Sequence, residues 1–170
     1  MPSKTLSPYE QVPETKTDLD WAELVTLDLG LFDQEGGKQE LVKQLEYAVQ
    51  HFGFFYVKNF GISQEEVDRQ FALGREFYNL LLAERLKYHN IKDLENREYN
   101  GYRPAGKGQT IRDNVQVYKL PKFDGYHKRA QPPVLQDNIA EIEDFSRKCH
   151  DLVVVKLLRL FALLLELSDE

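Results

Sequence analysis

Four histidines and a single cysteine are the residues here best suited to bind a metal or attack a substrate, and their spacing limits what they can do. His51, His89, His127 and His150 are followed two positions later by Gly53, Ile91, Arg129 and Leu152, so no His-x-Asp or His-x-Glu pair opens a facial triad. His-Glu-x-x-His and Cys-x-x-Cys are absent too, which predicts no metal ligands and no catalytic residues within the chain. Cys149 adjoins His150, but neighbours on a helix point about 100° apart and do not face each other as nucleophile and base. The thiol sits on an apolar stripe, as a buried, inert cysteine does. Gly106-Lys107-Gly108 begins like a dinucleotide loop, yet Ile111 stands where the third glycine belongs. No Gly-x-Ser-x-Gly elbow occurs.

What remains is an aromatic and basic stretch. Tyr99, Tyr102, Tyr118, Phe123 and Tyr126 are interleaved with Arg97, Arg103 and Lys119. Such residues line small-molecule pockets or stack on bases, and they serve equally as core packing and surface strand residues. Residues 84–129 hold 11 basic and 6 acidic side chains in a chain whose net charge is -6. That basic middle contacts acidic neighbours or forms a pocket for an anion. The acidity of the whole argues against nucleic-acid or membrane-surface partners.

The elements that position these residues follow from length and pattern. A chain of 170 residues makes one domain with a real core. One cysteine precludes an internal disulfide and, with no apolar leader at Met1-Pro2-Ser3-Lys4, predicts a soluble cytoplasmic protein. Residues 1–20, with Pro2, Pro8 and Pro13, read as an extended or mobile arm. A first strand is expected within Leu24–Leu29, ending at Gly30. From Lys38 to Phe52, Leu41, Val42, Leu45, Ala48, Val49 and Phe52 make one helical stripe. Gly53 then turns the chain in a left-handed conformation, and Phe54–Val57, without a polar face, predicts a strand covered on both sides.

Ser63 and Glu66 form a capping box for a second helix over 64–81, and a short charged helix is expected over 83–91. Glycines 101, 106 and 108 separate strands placed near Tyr99–Arg103 and Val115–Leu120. Asp137 after Pro132-Pro133 is the expected N-cap of a long apolar helix over about 137–167. The apolar end of that helix needs a cover. The pattern as a whole predicts a mixed α/β (α+β) fold, helices packed on a few strands.

The order of Val25-Thr26-Leu27-Asp28-Leu29, the Leu41-Val42 helix, His51-Phe52-Gly53-Phe54-Phe55-Tyr56-Val57-Lys58-Asn59-Phe60-Gly61-Ile62, and Phe77-Tyr78 ahead of Glu84-Arg85-Leu86-Lys87 resembles a known family. It is similar to the N-terminal region of the iron(II)- and 2-oxoglutarate-dependent oxygenases related to isopenicillin N synthase. The likeness runs on through Asn100-Gly101-Tyr102, Asp113 to Tyr118 and Leu163-Leu164-Leu165-Glu166-Leu167, covering nearly all of residues 21–170. Many relatives carry His-Gly where Phe60-Gly61 stands, and that histidine does not ligate iron. The resemblance implies a domain over 21–170 belonging to a double-stranded β-helix (jelly-roll) enzyme whose barrel core, with its His-x-Asp and distant His for Fe(II) and Arg-x-Ser for 2-oxoglutarate, lies beyond Glu170. It implies that this chain binds neither cofactor alone and that its partner is the missing barrel or a separate barrel-bearing protein. Tyr102, Arg103 and Tyr118 are the residues it assigns to the wall of a small-molecule substrate pocket. The other class of function open to the chain is a non-catalytic interaction module.

Overall fold

A computed structural model of the chain describes residues 6–89, 100–106, 114–121, 123 and 129–167. The expected start of a strand at Tyr99, the Gly-rich loop at 107–113, and Arg97, Tyr126 and His127 lie outside the described residues. The chain forms two compact units, Met1–Tyr9 with Asp68–Glu143 and Glu10–Val67 with Asp144–Glu170.

In the second of these units β1 (Val25–Asp28) leads through a 3-10 turn at Leu29–Leu31 into α1 (Gly37–His51), which returns the chain to β2 (Phe55–Lys58). The two strands pair in parallel, with Leu27 opposite Val57. Asp28 ends β1 because its Oδ1 accepts from the Gly30 N–H (3.0 Å) and both its carboxylate oxygens accept from the Asn59 Nδ2 (2.9 and 2.8 Å). The Asn59 hydrogen bonds hold the Asp28 carboxyl below its ordinary range. Gly37 opens α1 where only glycine fits, since a Cβ there would lie 1.8 Å from the Leu31 carbonyl oxygen. At the far end Phe52 and Gly53 N–H groups both donate to the Ala48 carbonyl, and Gly53 takes φ 74°, the left-handed C-terminal turn its sequence predicts.

Leu27, Leu29, Phe32, Leu41, Leu45 and Leu160 form the core of this unit. Alternation along β2 sends Phe55 and Val57 to that core. The outer face is uncovered among the described residues: Phe54 is 72% and Tyr56 61% exposed. The expected two-sided strand is therefore one-sided, because β2 has one helical layer against it and its apolar run carries Tyr56 and Phe54 on the other face.

The last helical stretch also departs from the expected single helix over about 137–167. A short helix, Pro133–Gln136, comes first, and Asp137 closes it as its C-cap instead of opening the next. The stretch then runs through Ile139–Cys149, a π turn at His150–Val154 and Val155–Leu164. The π turn inserts an extra residue per turn and rotates everything beyond it. In the part after that turn, Val153, Leu157, Leu160, Phe161 and Leu164 pack on the core. Val154, Leu158 and Leu165 form a second apolar stripe that stays exposed. Cys149 is partly buried, not fully, and burial raises its thiol pKa.

The second helix, α2 (Gln64–Tyr78), begins with the predicted reciprocal cap and stops three residues short of the expected Leu81. The Ser63 N–H donates to Glu66 Oε2 (2.9 Å) and the Glu66 N–H to Ser63 Oγ (3.2 Å). Lys148 adds a third tie, its Nζ 2.7 Å from Glu66 Oε1. The Lys148 contact, then the Ser63 donors, hold the Glu66 carboxyl at about 2 against an ordinary 4.5. A carboxyl depressed on folding contributes stability that is complete above pH 4.5 and is lost as pH falls toward about 2. Melting temperatures followed through that window are expected to fall less steeply for Glu66→Gln than for the parent chain. Parallel acid profiles for the two proteins would show that the tie contributes nothing to folding.

Candidate functional site

In the other unit α2 lies with α3 (Leu82–Leu86), and the chain then forms β3 (Gly101–Arg103) and β4 (Val117–Lys119). β3 and β4 pair antiparallel with Tyr102 opposite Tyr118 and Arg103 opposite Val117. Cross-strand partners share a face, so the two tyrosines stand together and Arg103 belongs to the opposite face of the hairpin. Of the three residues expected in a pocket wall, the fold thus joins two and separates the third. Tyr102 is buried, Tyr118 half-buried and Arg103 exposed.

Phe77, buried on α2, is the post against which both tyrosines rest. The Tyr118 ring meets it edge-on at 4.6 Å between centroids and the Tyr102 ring at 5.7 Å. Each phenol is held by a glutamine: Tyr102 donates to Gln116 Oε1 and Tyr118 to Gln131 Oε1, both at 2.6 Å. Burial pushes the Tyr118 phenol well above its usual pKa, and burial is also the main cause raising that of Tyr78. The Tyr118 and Tyr78 phenols are neutral donors throughout the physiological range. The backbone below them is fastened by Arg129, whose Nη1 donates to the Asn100 carbonyl (2.6 Å), and by His89, whose Nδ1 lies 2.9 Å from the Tyr102 carbonyl oxygen.

Arg85 completes the cluster, and sequence pattern did not single it out, because it falls in the short, strongly charged helix that reads as surface. Its guanidinium sits over the Tyr102 ring, 5.6 Å from the centroid, and its Nη1 donates to Gln116 Oε1 (2.6 Å). Gln116 was missed for a different reason: a lone glutamine before a strand carries no signal of its own. Beside the hairpin, Leu73, Leu135 and Ile142 make a small core joined by Leu6, Tyr118 and Phe123. The described beginning of the arm belongs here as well, with Tyr9 stacked on Phe71 and Arg75 Nη2 donating to the carbonyls of Ser7 (2.7 Å) and Pro8 (2.9 Å).

Among the described residues, no three His, Cys, Asp or Glu side chains come together as metal ligands. His89 is turned to a backbone carbonyl, and His150 pairs with its neighbour Asp151 at 2.7 Å. No helix among the described residues is long and apolar enough to cross a membrane.

Residues 23–139 match the family described as non-haem dioxygenase in morphine synthesis N-terminal. The chain belongs to this family. The relatives of this dioxygenase N-terminal region include 1-aminocyclopropane-1-carboxylate oxidase of Dictyostelium mucoroides, 26% identical over 142 residues, which are 78% of this chain and 38% of that protein. Homoarginine-6-hydroxylase of Arabidopsis thaliana is 33% identical over 98 residues, 55% of this chain and 29% of the hydroxylase. Among solved structures, a full-length Neurospora crassa protein in complex with alpha-KG superposes with a TM-score of 0.70 at 19% identity, covering 90% of this chain and 50% of that one. A putative 2OG-Fe(II) oxygenase family protein from Caulobacter crescentus gives 0.66 at 17% identity over 88% of this chain and 50% of the other. The chain therefore has the mixed helix and strand fold of these neighbours and spans about half their length.

Proposed function

We propose that this chain is the N-terminal portion of a cytoplasmic iron(II)/2-oxoglutarate-dependent oxygenase that oxidises a small organic substrate, and that it is not catalytic alone. The observation that supports this most is the family match over 23–139, a region N-terminal by description. In the complete enzyme Fe(II) and 2-oxoglutarate supply the oxidising chemistry. The residues described here do not fit that metal, so their part is to build the fold and the substrate wall. Tyr118, half-buried, and its cross-strand partner Tyr102, held by Phe77, are assigned to that wall, while Arg103, exposed on the opposite face of the hairpin, stands apart from it. The uncovered stripe of Val154, Leu158 and Leu165 and the outer face of β2 are assigned to contact with the barrel.

Sequencing the transcript past the codon for Glu170 tests the reading. A His-x-Asp and a later His in the same frame are expected before the stop codon; a stop without them would overturn it. The same exposed stripe also favours a second reading, an interaction module that docks on a separate barrel-bearing protein. In that case the frame ends early and the chain elutes as a complex from its native source.

A further inference from the structure

Arg69 and Arg85 show the same side chain in two states. Arg69 is complete: its Nε donates to Glu141 Oε1 (2.9 Å) and its Nη2 to Oε2 (3.2 Å), the side-on fork that guanidinium makes with carboxylate. Arg85 uses Nη1 on Gln116, but its Nε is buried with no acceptor among the described residues. A buried donor left unmet costs about 1–3 kcal/mol, and a charged one more, so such a group calls for an acceptor. Gln116 cannot supply the missing acceptor, because its Oε1 already receives both Arg85 Nη1 and the Tyr102 phenol. Arg85 also lies in the stretch with 11 basic and 6 acidic side chains, and among the described residues its guanidinium meets a neutral amide and an aromatic face.

We propose that the Nε edge of Arg85 binds the carboxylate of a small organic acid, held in the side-on fork that Glu141 makes with Arg69. The aromatic floor of Tyr102 orients the guanidinium plane, and Gln116 holds its Nη1 corner, which leaves the Nε–Nη2 edge to the acid. Because Nε is covered, entry requires its surroundings to open, and binding is slower than diffusion. This goes beyond the oxygenase reading and needs no iron or turnover, so its test stands whether or not that reading holds.

The experiment is a titration of the nitrogen-15-labelled 170-residue chain with succinate, and separately with inorganic phosphate and chloride, read at the arginine Nε–H resonances. One resonance is expected to move downfield and saturate with succinate, with no saturable change on chloride, while the Arg69 resonance stays in place. Saturation with phosphate at equal strength would refute selectivity for carboxylate and overturn the proposal as stated. Arg85→Lys is expected to weaken succinate binding about tenfold or more, since lysine lacks the fork. Should that variant fail to fold, the parent titration decides alone: no saturable movement of any Nε–H with succinate overturns the proposal.

Discussion

Replacing Phe77 by alanine is expected to cost about 3–5 kcal/mol, enough to unfold much of the unit that carries the tyrosines. Phe77 is 1% exposed and touches three other rings edge-on: Tyr78, Tyr102 and Tyr118. Its removal leaves a cavity that the short hairpin cannot close, because Tyr102 and Tyr118 are each tied at the far end by a hydroxyl to a glutamine. Collapse into the void would break those bonds and leave phenols buried without partners. Denaturant unfolding followed by far-ultraviolet circular dichroism gives the number, and Phe77→Leu should retain much of the stability because it refills most of the space. A loss under about 1 kcal/mol for Phe77→Ala would show that the tyrosines do not rest on it.

A second large effect is expected at Leu160, with a built-in control two residues away. Leu160 is fully buried among Leu27, Leu29, Phe32, Leu41 and Leu45, and Leu160→Ala should cost about 2–5 kcal/mol. Leu158 is 62% exposed on the same helix, and Leu158→Ala should change the stability of this chain by about 0.5 kcal/mol or less. Equal losses at the two sites would mean that the helix is rotated from the position described. The comparison also bears on the proposed function, since Leu158 should become costly to truncate in a protein that carries the barrel.

The local elements were legible because each has a short-range cause. The stripe of Leu41, Leu45 and Ala48 faces the core as its spacing demands, Ser63 and Glu66 cap α2, and Gly53 takes the left-handed turn. The strand pair around Tyr102 and Tyr118 fell within the stretches expected for it. The π turn at His150–Val154 was not legible, since an inserted residue leaves the run of apolar side chains almost unchanged while shifting which ones face inward. Asp137 misled for a related reason: an acidic residue after two prolines suits a helix start, and here Asn138 accepts the first bond of the following helix from the Ile142 N–H.

The site divides the same way. The residues carried a resemblance to an oxygenase-family N-terminal region, which the family match over 23–139 then showed, and their types and spacing placed an aromatic, basic stretch at its strands. Which of Tyr102, Arg103 and Tyr118 share a face depends on cross-strand register, and register is a property of two segments that meet from far apart in the chain. Arg85 illustrates the limit most clearly. Sequence shows a charged residue in a short helix, and only the packed structure shows that its Nε is closed off from water with no acceptor among the described residues, because burial is decided by what the rest of the chain places around an atom.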